Sequence, residues 1–169
     1  MAPRNVRRAI DGLDASLDRF MRYFMVHINP ILHRTEYRGR SYSEYEIVVV
    51  IALGLVGPMR PIGLSKGLRI EKGTLTSLIR RLREIGLLVK RAIPGDERSY
   101  LVALTSAGKQ FRKHLEKQRH RELQALFAAM DPDEIAAAAR GFDLLAAYLK
   151  RVEENHVRMG EETAAGIVS

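Results

Sequence analysis

Between Ile70 and Gly108 the spacing of hydrophobic residues passes from the helical period to the strand period and back. Leu75, Leu78, Ile79, Leu82 and Ile85 recur at threes and fours, which predicts an α-helix over Glu71–Ile85 with one buried face. Gly86 stands where a helix ends on a left-handed residue, with apolar Leu88 just beyond it. From Leu87 to Ile93 the pattern alternates, Leu87, Val89, Arg91 and Ile93 against Leu88, Lys90 and Ala92, as in a strand. Pro94-Gly95-Asp96-Glu97 has turn chemistry: proline sets φ, glycine accepts positive φ and Asp caps its own backbone. Ser99 to Leu104 is the return strand, with Tyr100, Val102 and Leu104 on one face and Leu101 and Ala103 on the other. Thr105 suits the N-cap of a new helix.

Upstream, Ile10, Leu13, Leu17, Phe20, Phe24, Ile28 and Ile31 recur at helical spacing. They predict a long amphipathic helix from Val6 to about Leu32 that Pro30 kinks or ends. Met1 to Asn5 reads as a disordered basic tail, and His33 to Arg40 as polar and irregular. Ser43 with Glu46 forms a capping box ahead of a helix over Glu44–Leu55. That helix is apolar almost all round, hence central and buried, and Gly57-Pro58 stops it. Pro61–Leu68 is a short helix with Ile62, Leu64 and Leu68 inward. Gly63 and Gly67 each disfavour it by roughly 1 kcal/mol, and Glu71 is a weak N-cap for the helix that follows. Downstream, Ala107–Met130 is one helix whose polar run Glu116–Glu122 leaves the core. Asp131-Pro132-Asp133-Glu134 starts another, striped by Ile135, Ala138, Phe142, Leu145, Leu149 and Val152 as far as His156, and Gly160–Ser169 reads as a frayed tail.

A helix closed by glycine and followed by a hairpin with a charged tip is the layout of a winged helix-turn-helix. Thr74-Leu75-Thr76, Leu82, Gly86-Leu87, Lys90-Arg91, Asp96-Glu97-Arg98 and Leu104-Thr105-Ser106-Ala107-Gly108 resemble the motif string of the MarR-type bacterial transcription regulators. Ser65, where that family usually has Ala, departs from the pattern, as do Gly63 and Gly67. The resemblance implies a mainly α (α+β) fold: a winged helix-turn-helix module over 41–108, an N-terminal dimerisation helix over 1–40 and C-terminal dimerisation helices over 109–169. It also implies a homodimer, with Leu17, Phe20, Phe24, Phe142, Leu145 and Leu149 in the subunit interface; the bland alternative is that the terminal helices fold back as an ordinary bundle.

Charge follows the same division. The 169 residues carry 28 Lys plus Arg against 20 Asp plus Glu, a net +8. Ten basic residues against four acidic ones lie between Arg60 and Arg98, whereas Asp131–His156 is net acidic. An anionic partner is expected on the segment that carries the winged-helix pattern.

On the predicted helix over Glu71–Ile85, Lys72, Thr74, Thr76, Ser77, Arg80 and Arg81 point outward. Hydroxyl groups donate to or accept from base edges, and Arg bridges guanine O6 and N7, so this face suits the major groove of double-stranded DNA. The bland alternative for each residue is a solvated polar position. The resemblance places Arg98 at the wing tip in the minor groove, braced by Asp96; alternatively the two form a weak surface ion pair. Tyr23, His27, His33, Tyr37, Tyr42 and Tyr45 line a cleft in one reading and belong to the core in the other. In the resembling family such clefts bind small aromatic acids, so an aromatic or phenolic effector is implied.

The absence of cysteine removes disulfides, thiolate metal sites and thiol switching. The five histidines lack ligand spacing, and no catalytic triad or phosphate-binding loop occurs, so neither enzyme, metal nor cofactor is expected. No signal peptide is seen and the longest apolar run is too short to span a bilayer, which predicts a cytoplasmic protein. The expected function is a ligand-responsive repressor at an inverted-repeat operator. The alternative is a winged-helix module that binds nucleic acid architecturally, or a protein partner, without operator-specific control.

Overall fold

The computed structural model describes residues 3–28 and 35–166; the side chains of Ile28, Glu97, Arg98 and residues 153–166 are outside that description. Six α-helices and two β-hairpins make up the described residues: α1 (Arg4–Tyr23), β1 (Thr35–Tyr37), β2 (Arg40–Tyr42), α2 (Glu44–Val56), α3 (Pro61–Leu68), α4 (Lys72–Glu84), β3 (Leu88–Ile93), β4 (Asp96–Leu104), α5 (Ser106–Leu126) and α6 (Pro132–Gly166). The chain separates into two compact units, Met1–Leu123 and Gln124–Ser169.

In the first unit the core forms around α2. Val49 and Val50 are wholly buried, and Ile47 and Leu53 nearly so. The capping box forms as its sequence requires: the Ser43 hydroxyl accepts from Glu46 N, and Glu46 accepts from Ser43 N. Against α2 pack Leu64 of α3, Leu75, Leu78, Ile79 and Leu82 of α4, Leu88, Val102 and Leu104 of the wing, and Phe111 and Leu115 of α5. Burial on α5 stops at Leu115, where the polar run begins.

Helix α4 ends as the glycine predicts. Gly86 has φ 77°, Leu87 N donates to Leu82 O and Gly86 N to Arg83 O, a Schellman motif that ties off the last carbonyls. Helix α3 closes the same way on a non-glycine residue: Arg69 has φ 52°, and the Ser65 hydroxyl donates to Ile70 O at 2.7 Å. Ser65 thereby fixes the turn into α4, a bond that alanine could not make. The wing strands pair antiparallel around Pro94-Gly95, with Ile93 opposite Asp96 and a bulge at Ala92/Ile93. Met59 exchanges two backbone hydrogen bonds with Val102 and extends the sheet locally.

Several expectations are corrected. The segment His33–Arg40 is not irregular throughout, since Thr35–Tyr37 and Arg40–Tyr42 form a hairpin. Its tip, Arg38-Gly39, has positive φ at both residues, the geometry of a two-residue turn matched to strand twist. Ile62 faces outward at 63% exposure. Two positions on a helix are about 200° apart, so Ile62 and Leu64 cannot both point inward, and Leu64 with Leu68 takes the core side. Glu71 is an effective cap, its carboxylate accepting from the backbone of Gly73 and Thr74. Helix α1 already begins at Arg4 inside the expected tail, and it winds into a π-helical turn over Phe24–Ile28; Pro30, Ile31 and His33 lie outside the described residues. Helix α5 stops at Leu126, short of Met130.

In the second unit Asp131 caps α6, its Oδ1 accepting from Asp133 N at 2.8 Å. The helix continues to Gly166 rather than fraying at Gly160, as suits the strong helix formers Glu161, Glu162, Ala164 and Ala165.

Candidate nucleic-acid interface

The amphipathic pattern of α4 sets the geometry of this face. Leu75, Leu78, Ile79 and Leu82 seat the helix on the core, which leaves Lys72, Thr74, Thr76, Ser77, Arg80 and Arg81 exposed along the opposite side. These six share one surface, but their side chains are not equally available. Thr74 Oγ1 donates to Glu71 at 3.2 Å, and Thr76 Oγ1 donates to Lys72 O at 2.8 Å. Arg81 Nη1 lies 3.6 Å from the buried carboxylate of Glu46.

Glu71 closes the N-terminus of α4. Its carboxylate accepts from Gly73 N at 3.1 Å and from Thr74 N at 3.0 Å. Those backbone hydrogen bonds, with the Thr74 hydroxyl, favour the charged form and hold the carboxyl below its ordinary value. The sequence signal missed is the longer reach of glutamate, which here does what Ser or Asp does at shorter range.

Beside α4 lies an open groove of about 640 Å³ between α3, the start of α4 and the wing. Arg60, Lys66 and Lys72 make it basic, exposed Ile62 forms an apolar wall, and Ser99 and Tyr100 border it from β4. Lys90 Nζ sits 4.1 Å from the centre of the Tyr100 ring. Arg60 and Lys66 were not singled out from sequence; only the regional excess of positive charge pointed to them. At the wing, Asp96 accepts from Ser99 N at 3.1 Å and pairs with Arg60 Nη2 at 3.4 Å. The side chain of Arg98 lies outside the described residues.

The residues expected to line a ligand cleft are dispersed in their contacts. Tyr23 and His27 are exposed and stack on each other with ring centres 6.3 Å apart. Tyr37 packs on Phe111 and His114. Tyr42 is buried, its ring centre 4.2 Å from that of Phe111, and burial pushes its phenol above the ordinary value. Tyr45 is exposed. A cleft of about 200 Å³ does open between α2 and α5, but none of these lines it. Its walls are Ile47, Val48, Ile51, Leu55 and Leu115, with Thr35, Arg112 and Arg119 at the rim. The heptad pair Arg112 and Arg119 on α5 was its one sequence signal. Arg112 spans α2 at Gly54, donating to the Gly54 carbonyl oxygen, and pairs with Glu116 at 2.8 Å.

Among the described residues no group of three potential metal ligands occurs, and no helix is long and apolar enough to cross a membrane. Residues 43–100 match the MarR family. No curated protein matches the chain. Among solved structures, a MarR family protein from Bacillus stearothermophilus is 20% identical, with 85% of this chain and 97% of that one covered at a TM-score of 0.66. BpsR of Bordetella bronchiseptica, whose DNA binding is regulated by 6-hydroxynicotinic acid, is 23% identical over 78% of this chain and 98% of that one, TM-score 0.57. FabT of Streptococcus pneumoniae, solved in complex with DNA, is 19% identical over 87% and 99%, TM-score 0.55. The winged helix-turn-helix, with α4 as its exposed second helix, includes the residues, 43–100, that match the MarR family.

Proposed function

We propose that the protein is a transcription regulator that binds an inverted-repeat operator as a homodimer and represses the genes beside it. The observation that carries this reading is the exposed hydroxyl and basic face of α4 bordered by the basic groove of Arg60, Lys66 and Lys72. A helix so displayed enters the major groove with its N-terminal half against base edges. FabT, with the same fold, was solved on DNA. In this reading residues 1–40 and 109–169 supply the dimer and 41–108 the DNA contact, in the cytoplasm where the chromosome lies. A small apolar acid is the effector class that suits the α2–α5 cleft, since its walls are aliphatic and its rim carries Arg112 and Arg119. BpsR, which responds to 6-hydroxynicotinic acid, supports that class.

Selection of bound fragments from genomic DNA, followed by footprinting, tests the reading. Protection of a discrete inverted repeat is expected, with half-sites about one helical turn apart. Uniform coating of any duplex would replace it with an architectural role.

A further inference from the structure

Among the described residues Glu46 is the one buried carboxylate, with 1% of its surface exposed. Its capping role occupies a single oxygen: Oε2 accepts from Ser43 N at 2.9 Å and from the Ser43 hydroxyl at 3.1 Å. The other oxygen, Oε1, faces two arginines from different elements. Arg40 Nη2 of β2 lies 2.8 Å away, and Arg81 Nη1 of α4 lies 3.6 Å away. Arg40 also stacks on the Tyr42 ring at 5.0 Å. One carboxylate thus joins the β1–β2 hairpin, the first turn of α2 and the DNA-facing helix. A buried carboxylate is tolerated only when it is paired; Arg40 gives Oε1 its direct hydrogen bond, and Arg81 adds a second, longer ion pair from α4. Arg80, the neighbouring residue, is exposed and makes no ion pair among the described residues.

We infer that Glu46 is a positioning residue for DNA recognition, acting through Arg81: the pair fixes the rotation of α4 against α2 and the hairpin, and it holds Arg81 off the DNA. Of the two adjacent arginines only Arg80 then contacts DNA. This rests on the regulator reading above, and it removes Arg81 from the residues expected to touch the duplex.

The test compares wild type, Arg81→Gln, Glu46→Gln and the double variant on the selected operator and on random duplex at several salt concentrations. Gln at position 46 keeps an acceptor for Ser43 N, and Arg81 is 56% exposed, so the Arg81 variant retains the fold. Arg81→Gln should weaken operator binding by about tenfold, within the range of coupled neighbours. It should leave random-duplex affinity and the salt slope unchanged. Glu46→Gln should give the same loss, and the double variant no more than Glu46→Gln alone. A fall of about 1 in the salt slope for Arg81→Gln on both duplexes would place Arg81 on a phosphate and overturn the inference. Additive losses in the double variant would overturn it as well. A wild-type chain without operator preference would instead bring down the regulator reading, and this inference with it.

Discussion

At the scale of single residues, glycines of opposite meaning give the sharpest stability tests. A methyl group on Gly108 would sit 2.2 Å from the carbonyl oxygen of Leu87 and 3.2 Å from Leu104 Cδ2. Backbone cannot swing aside as a flexible side chain can, so Gly108→Ala is expected to cost about 1–3 kcal/mol or more. Gly67, inside α3, has nothing within 4 Å of such a methyl, and Gly67→Ala should stabilise by about 0.4–1 kcal/mol. Urea midpoints of the two variants should move in opposite directions; the same direction for both would refute the packing argument. Glu71 yields a pH test. Its folded carboxyl titrates below its ordinary value of 4.5, so its contribution is full above that pH and is lost as pH falls through the lower folded value. The advantage of wild type over Glu71→Gln should therefore shrink on acidification below pH 4.5 and stay constant above it. An advantage that grew on acidification would mean the carboxylate is not the capping form.

At the scale of elements, the regulator reading predicts separable DNA contacts for the wing and for α4. An Arg at a hairpin tip responds to minor-groove charge and width. Arg98→Ala should accordingly weaken operator and random duplex by similar factors and lower the slope of log affinity against log salt by about 1. Arg80→Ala should relax the preference at one position of each half-site, costing about 1–3 kcal/mol there if the contact is bidentate to guanine. Titrations on operator, point-changed operators and random duplex at two salt concentrations read both. An unchanged salt slope for Arg98→Ala takes the wing out of the groove; uniform weakening by Arg80→Ala puts that residue on phosphate. How legible each element was in the sequence follows from how local its causes are. The capping box of α2, the glycine stop of α4 and the two wing strands are set within a few residues, and they appear where the pattern put them, except that β4 begins at Asp96 rather than Ser99, with only Pro94-Gly95 in the turn. The β1–β2 hairpin escaped notice because its strands have three residues each and its turn needs Arg38 at φ 52°. Glu46 read as a helix cap alone, since its pairing with Arg40 and Arg81 depends on tertiary approach. The aliphatic α2–α5 cleft with its arginine rim depends on tertiary approach in the same way, whereas the tyrosines and histidines drew attention by their chemistry alone.

At the scale of the whole molecule, the terminal helices are built to meet something apolar. Helix α1 has no buried residue, with Leu17 52% and Phe20 39% exposed, and on α6 Phe142, Leu145 and Leu149 are 56%, 42% and 64% exposed. Scattered apolar residues on a surface need no explanation, but continuous stripes at helical spacing on long helices do. A second copy is the occupant that the regulator reading requires, because an inverted repeat mirrors a two-fold protein. Light scattering at micromolar concentration should therefore return twice the chain mass of 19.1 kDa. In such a dimer Leu149→Glu would place a charge between the apolar stripes of the two copies, where an unpaired carboxylate is costly. It should shift the mass toward one chain and, in the same concentration range, abolish cooperative occupation of both half-sites. The winged helix itself should stay folded, because Leu149 is absent from the core around α2. Residual binding of the variant to a single half-site, with a salt slope about half that of wild type, would follow from halving the phosphate contacts. If wild type runs as a monomer, or if Leu149→Glu stays dimeric with operator affinity intact, α6 does not form the subunit interface and the stripes must meet another partner.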